Sequence, residues 1–494
     1  MVSRALLFRP RQGDPAGDPG AGRFRAALGT LFPVAPGVPP GAPALPRERL
    51  VRACIEILAV LAAAVAMLFR VAHIPAWDLV YAEDNGVFLV GALAHPWHLL
   101  TPFGGYLELM PRILGQIVSL LPLWDAPRIY AASGALIAAI CALFTYHASE
   151  GYIRSPWLRA MLGAALILLP LAPIEMADSG VTSPWYLLPT AFWAVMWRPR
   201  TRWGMLAAAL MAFAAASSEI VVIIYIPLLV VRIIALPRWR EHAVTIGFVL
   251  GLVTQALAIL STYTQHAQRL SGYSPLLGSV KFYFHAFVLR SVGWHLSWWL
   301  QRPLGLNGAT AVVGAFLLAV LAWVLITGDK QVRVFAVLAT VMGFAEVIAV
   351  ASVPGPPGGG WIAHEVAIPA FQPGSRYDAL PVMLLDAMVI IAVDAFVRRS
   401  AVGLTPLPPS RPSRPSWLGP RPWTVVVVAA LTCALAFGWV TDYRYYSPSR
   451  VSQGYWTHTL NHWLRACASS KTGEISLRTW DAPNATVPCS RIHR

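Results

Sequence analysis

Apolar runs of about 20 residues recur between residues 53 and 441, and no other feature limits the fold so strongly. A segment inside a bilayer has no water to bond, so it must satisfy its own backbone groups. Runs of this length therefore predict transmembrane helices. Spans fit at 53–72, 128–148, 158–174, 184–197, 203–218, 220–236, 242–263, 309–327, 333–353, 379–397 and 423–441. The expected fold is an all-α polytopic membrane protein with eleven spans. With 57% hydrophobic and 12% charged residues the chain is excluded from the soluble globular class, and its mean hydropathy of +0.58 agrees. Twenty Trp and 15 Tyr suit two extensive water–lipid interfaces.

The net charge of +15 raises nucleic acid as a partner, but the distribution of charge argues against it. Most basic residues sit in loops between apolar runs, where they set topology and meet anionic lipid. With the N-terminus cytoplasmic, segments 1–52, 150–159, 198–202, 232–240, 328–333 and 398–421 lie inside and hold 23 of the 38 Arg and Lys. The others are spread over longer outside segments. The expectation is a multi-pass protein of the cell membrane, N-terminus in and C-terminus out.

Three regions follow. Residues 1–52 read as a disordered basic cytoplasmic tail with eight Arg and too little apolar surface for a core. No cleavable signal peptide stands ahead of the first run, which is expected to act as an uncleaved anchor. Residues 53–441 form the transmembrane domain, with a long first extracytoplasmic loop at 73–127. Residues 442–494 form a small extracytoplasmic tail holding Cys467 and Cys489. Two readings stand for that pair: a disulfide, which an oxidising compartment allows, or two free thiols.

The loop from Trp77 to Arg112 concentrates the polar groups. It carries adjacent acids Glu83 and Asp84, a turn at Gly104 to Tyr106, and Pro111-Arg112. Its portions 82–100 and 105–122 are expected as interfacial or re-entrant helices. Moving a sugar off a membrane-embedded lipid phosphate needs a carboxylate to deprotonate the acceptor hydroxyl. It needs a cation to hold the leaving phosphate and aromatic faces for the sugar ring. Glu83 and Asp84 supply the first, Arg112, Arg376 and Lys281 the second. Trp77, Tyr106, Trp185 and Tyr377 supply the third. Glu219 joins them at the outer turn between spans 203–218 and 220–236.

Plainer readings stand beside these. Asp84 caps the helix beginning near Asn85; Arg112 and Arg376 anchor helices at the interface; Glu219 terminates a hairpin. No His/Cys/Asp/Glu spacing has the form of a strong metal site, and no phosphate-binding glycine loop is present. No metal and no cofactor are expected.

The arrangement resembles the GT-C superfamily of polyprenyl-phosphate-sugar-dependent glycosyltransferases and a group of actinobacterial multi-pass membrane proteins of that type. The residues that carry the resemblance are Ala82-Glu83-Asp84-Asn85-Gly86 with Phe88, Gly105-Tyr106-Leu107 and Pro111-Arg112. Pro173-Ile174-Glu175, Pro184-Trp185-Tyr186 and Ser375-Arg376-Tyr377 add to it. The resemblance implies that Asp84 is the catalytic base with Glu83 its neighbour. It implies a polyprenyl-phosphate-linked sugar as donor and a cell-envelope glycan or lipid as acceptor. It departs from the metal-using members, because no Asp-x-Asp motif is present. The rival expectations are a non-enzymatic transporter or lipid flippase, and a scaffold subunit of envelope-polysaccharide assembly.

Overall fold

The computed structural model describes residues 25, 28–34, 46–72, 74–81, 83–103, 105–170, 176–266, 291, 294–352, 376, 379–402, 422–444, 454–477 and 484–492. Lys281, Tyr377, Pro173 to Glu175 and most of the N-terminal tail lie outside them.

The described chain is nearly all-α. It begins with α1 (Pro46–Leu68) and then a π-wound turn, Asp84–Leu89, that runs into the short α2 (Val90–Ala94). There follow α3 (Leu109–Ser119), α4 (Ala126–Ala148), α5 (Pro156–Leu168), α6 (Ser183–Met196) and α7 (Arg202–Ala216). A 3-10 turn, Ile220–Tyr225, leads into α8 (Ile226–Ala235). The long helices α9 (Ala243–His266), α10 (Trp294–Thr327), α11 (Lys330–Ser352) and α12 (Ala379–Val402) come next, then α13 (Pro422–Thr441) and α14 (Trp456–Ser469).

Among the described residues, six helices are long and apolar enough to cross a membrane. They correspond to α1, α4, α9, α10, α11 and α12. The expected spans at 158–174 and 220–236 are cut to 13 and 10 residues in α5 and α8, the latter because a 3-10 turn takes its first six positions, while α6 and α7 keep close to their expected lengths at 14 and 15 residues. At ~1.5 Å per residue, 15 residues reach ~22 Å, against ~30 Å of hydrocarbon. Proline marks three of the starts. Pro156, Pro184 and Pro227 stand in the first turn of α5, α6 and α8, where a missing N–H is harmless.

The core lies around α6, which is buried along its whole length, and the first two-thirds of α12. Helices cut short inside a protein leave carbonyls that need donors, and two buried arginines provide them. Arg70, beyond α1, donates to Ile167 O (2.5 Å), Leu169 O (2.8 Å) and Tyr443 O (3.1 Å), tying α1 to the ends of α5 and α13. Arg232, in the last turn of α8, donates to Val195 O (2.5 Å), Trp197 O (2.8 Å) and Glu241 O (3.1 Å). Elsewhere small residues allow close approach. A Cβ at Gly251 of α9 would stand 2.6 Å from the Ala216 methyl and 2.8 Å from Phe213 O of α7.

The C-terminal tail contains a departure from the all-α expectation. After α14, β1 (Glu474–Leu477) and β2 (Ala485–Pro488) pair antiparallel, Glu474 opposite Pro488 and Leu477 opposite Ala485. Burial alternates along β1, with Ile475 and Leu477 inward, as the two-residue period of a strand requires. A Cys467–Cys489 disulfide closes this unit. Trp456, Leu460, Trp463, Val487 and Ile492 share a core with Val80, Leu89, Val90 and Leu93, so the tail packs on the segment that follows Glu83. Trp456 Nε1 donates to Leu123 O (2.6 Å) and Arg491 to Leu93 O (3.1 Å).

Replacing Cys467 and Cys489 by serine is expected to destabilise this unit by ~3 kcal/mol. Limited proteolysis of the full chain checks it: cleavage within 454–492 accelerates while the helical bundle stays protected.

Candidate functional site

The site is assembled from four separate pieces of chain. The first is the segment around Glu83 and Asp84. Glu83 and Asp84 are neighbours in helical backbone at the start of the π-wound turn, and their side chains point different ways. Asp84 turns inward. Its Oδ2 accepts from Ser179 Oγ (2.6 Å) and Gly180 N (2.9 Å), and its Oδ1 from Val181 N (2.8 Å). The turn that offers these donors is opened by Asp178 in the left-handed region, φ 59°, which Asp tolerates better than most residues. Gly180 leaves the space: a Cβ there would lie 2.9 Å from both Asp84 Oδ1 and the Tyr130 ring. The Tyr130 hydroxyl closes the arrangement by donating to Asp84 O (3.1 Å).

Asp84 therefore differs from both readings made of it. It has no exposed surface, and its oxygens are taken by three donors. It does not cap the turn it starts, which has no side-chain cap. Burial pushes its carboxyl up to about 7, against the pull of Ser179, Gly180 and Val181.

Glu83 faces the other way. Its Oε1 lies 3.7 Å from Arg376 Nη2. Two further acids act on the same guanidinium: Glu108, the residue before α3, and Glu219, in the turn between α7 and the 3-10 turn at 220–225. The chain reaches this geometry through a set of backbone ties. Phe103 and Tyr106 exchange two hydrogen bonds across Gly105, whose φ of 102° favours glycine. Leu107 is held at both its N–H (2.8 Å) and its C=O (2.7 Å) by the Gln255 side chain of α9. Leu109 N donates to Ser217 O (3.2 Å) and Met110 N to Ser218 Oγ (3.0 Å), joining the start of α3 to the Glu219 turn.

The electrostatics follow from crowding acids out of water. Burial pushes Glu108 up to about 8, with Glu219 and Glu83 adding to the rise and Arg376 and the Tyr106 hydrogen bond opposing it. Burial pushes Glu219 up to about 7, opposed by the Val221 N–H, Arg376 and the Ile220 N–H. Near neutral pH Glu108 is thus largely protonated, and the cluster carries less negative charge than its three acids suggest. Arg112, one turn beyond Glu108, sits over the Phe88 ring at 5.5 Å and donates to Pro102 O at 3.4 Å. Burial lowers it to about 10, so it keeps its charge.

The structure thus brings together Glu83, Tyr106, Glu219 and Arg376 from the sequence-derived set, with Arg112 at the edge through Glu108. Glu219 also accepts from Val221 N at 3.1 Å as the cap of the 3-10 turn that follows it. Trp77 packs edge-on against Phe69 at 5.7 Å, and Trp185 is 3% exposed within the α6 core. Glu108 was missed. Flanked by Leu107 and Leu109, it reads as part of an apolar stretch, yet its position four residues before Arg112 was a usable signal. Among the described residues, no three of His, Cys, Asp or Glu are arranged to hold a metal ion.

No protein-family model matches this chain, and no curated protein matches it.

Two outcomes are expected. Asp84→Ala leaves three donors facing a gap and should cost ~3 kcal/mol or more, seen as a lowered Tm in nanodiscs; Asp84→Asn should cost less, because it keeps an acceptor. The second concerns pH. Asp84, Glu108 and Glu219 are all raised in the folded chain, so the stability tied to their protons is fully present below the unfolded value of ~4 and lost as pH rises through about 7 to 8. Tm should fall across that window, and Glu108→Gln should flatten the fall.

Proposed function

We propose that this chain transfers a sugar from a polyprenyl-phosphate donor to a cell-envelope glycan or lipid acceptor, at the outer face of the membrane. The observation that carries the reading is the Glu83–Arg376 pair, 3.7 Å apart and flanked by Tyr106, Glu108 and Glu219. It puts a carboxylate and a guanidinium within one substrate's reach, as a displacement at a phosphorylated sugar requires. Glu83 takes the proton of the acceptor hydroxyl. The acceptor oxygen forms a bond to the anomeric carbon, and the bond from that carbon to the phosphate oxygen breaks with its electron pair going to the phosphate. Arg376 stabilises that charge. Arg112, which interacts with Glu108, offers a second guanidinium for the lipid phosphate, and Tyr106 offers a face to the sugar ring.

This reading assigns the base to Glu83 in place of Asp84. Asp84 instead holds the turn that presents its neighbour. It also takes α5 to α8 and α13 as membrane-embedded, giving about eleven apolar segments with the N-terminus cytoplasmic and the C-terminal unit outside, as the positive charge distribution favours.

One observation favours the rival, a transporter. Asp386 of α12 and Glu346 of α11 are buried inside long apolar helices, at 3% and 0% exposure, and acids so placed often mark ion paths. The assay must therefore separate the two. With the purified full chain, a radiolabelled polyprenyl-phosphate-sugar and cell-envelope acceptor extract, Glu83→Gln should reduce turnover ~1,000-fold while donor still binds. Arg376→Ala should raise the donor KM about tenfold or more. Unchanged turnover in Glu83→Gln removes the base from the mechanism. Substrate counterflow in sealed vesicles without any glycosidic product would establish transport instead.

A further inference from the structure

The displacement uses Glu83 and Arg376 and leaves Glu108 without a task. Glu108 is 6% exposed, and its Oε2 has no hydrogen-bond partner. A buried polar atom without a partner is rare enough to require a reason. Capping is not the reason, because α3 begins without a side-chain cap. Nor is a simple ion pair, since Arg376 is shared with Glu83 and Glu219. The groups that act on Glu108 come from every side: Glu83 before the π-wound turn, Tyr106 on its own segment, Arg112 a turn along α3, Glu219 beyond α7, and Arg376 ahead of α12.

We propose that Glu108 is a substrate-contacting, specificity-determining residue whose Oε2 bonds a hydroxyl of the transferred sugar and so orients the ring toward Glu83. The inference rests on the glycosyl-transfer reading, whose site it completes. The choice of a neutral hydroxyl follows from charge. A cationic ligand would be repelled by Arg376 and Arg112. A phosphate finds those same cations as better partners. With burial holding it up near 8, the carboxyl both donates and accepts at neutral pH, and a sugar hydroxyl does the same. A site built to bond a hydroxyl also rejects analogues that lack it, because its buried group is then left unpaired.

The test uses the full chain in nanodiscs with free D-glucose, D-galactose, D-mannose and D-arabinose and their monodeoxy analogues, read by saturation-transfer NMR. Wild type should bind at least one of these sugars and lose the signal at least tenfold for one monodeoxy analogue. Glu108→Gln, which keeps a donor and an acceptor, should bind as wild type does. Glu108→Leu should lose the discrimination between sugar and deoxy analogue while its Tm rises, since an acid kept for binding costs stability in the empty site. No binding by wild type, or undiminished discrimination in Glu108→Leu, overturns the proposal. The transfer reading fails separately: sugar binding that depends on Glu108, without glycosidic product in wild type, retains the hydroxyl site and removes the transferase.

Discussion

A carboxylate shut away from water must take its hydrogen bonds from the protein, and Asp84 takes three from one turn. The organisation of this end of the bundle depends on that contact. It fixes the 176–182 turn against the π-wound segment, and through Tyr130 it fixes the backbone at Asp84 as well. With Asp84 turned inward to the 176–182 turn, its neighbour Glu83 lies against Arg376. One acid of the pair is structural so that the other is available.

The same principle governs the shorter helices. Each ends inside the protein, where its carbonyls have no water, and Arg70 and Arg232 bring several donors apiece to those ends. Both guanidiniums are buried by apolar groups yet bonded on several sides, which is the condition under which burying a charge is tolerable. Rigid junctions of this kind hold α1, α5 and α13 together near the Asp84 turn. The carboxyl cluster can then be crowded, and its protons held, without the surrounding backbone opening to relieve the strain.

Much of the fold was legible because lipid-length apolar runs have few structural solutions. The long helices α4, α9, α10, α11 and α12 lie where the hydropathy places them. The short helices α5 to α8 also lie at expected apolar runs, but hydropathy registers composition and not where regular helix gives way to a turn, as at Ile220–Tyr225 ahead of α8. At the site, Glu83, Tyr106, Glu219 and Arg376 were legible as polar residues in an otherwise apolar chain. The division of labour between Glu83 and Asp84 was not, because it depends on helical phase and on a turn 95 residues away in sequence. Glu108 was hidden between two leucines. The strands at 474–477 and 485–488 were too short and too polar to stand out from a tail.

The C-terminal unit places a constraint on how the molecule is made. Residues 456 to 492 complete the apolar packing around Val80, Leu89 and Leu93, through contacts that reach back almost 400 positions in the chain. During synthesis the segment bearing Glu83 emerges well before its covering, which waits until residues 456 to 492 have been translated. Pairing of Cys467 with Cys489 then closes the covering. A ribosome-bound or truncated chain carries every acid of the cluster and still lacks the packing that holds the first of them in place. Maturation is thereby tied to synthesis of the C-terminal unit.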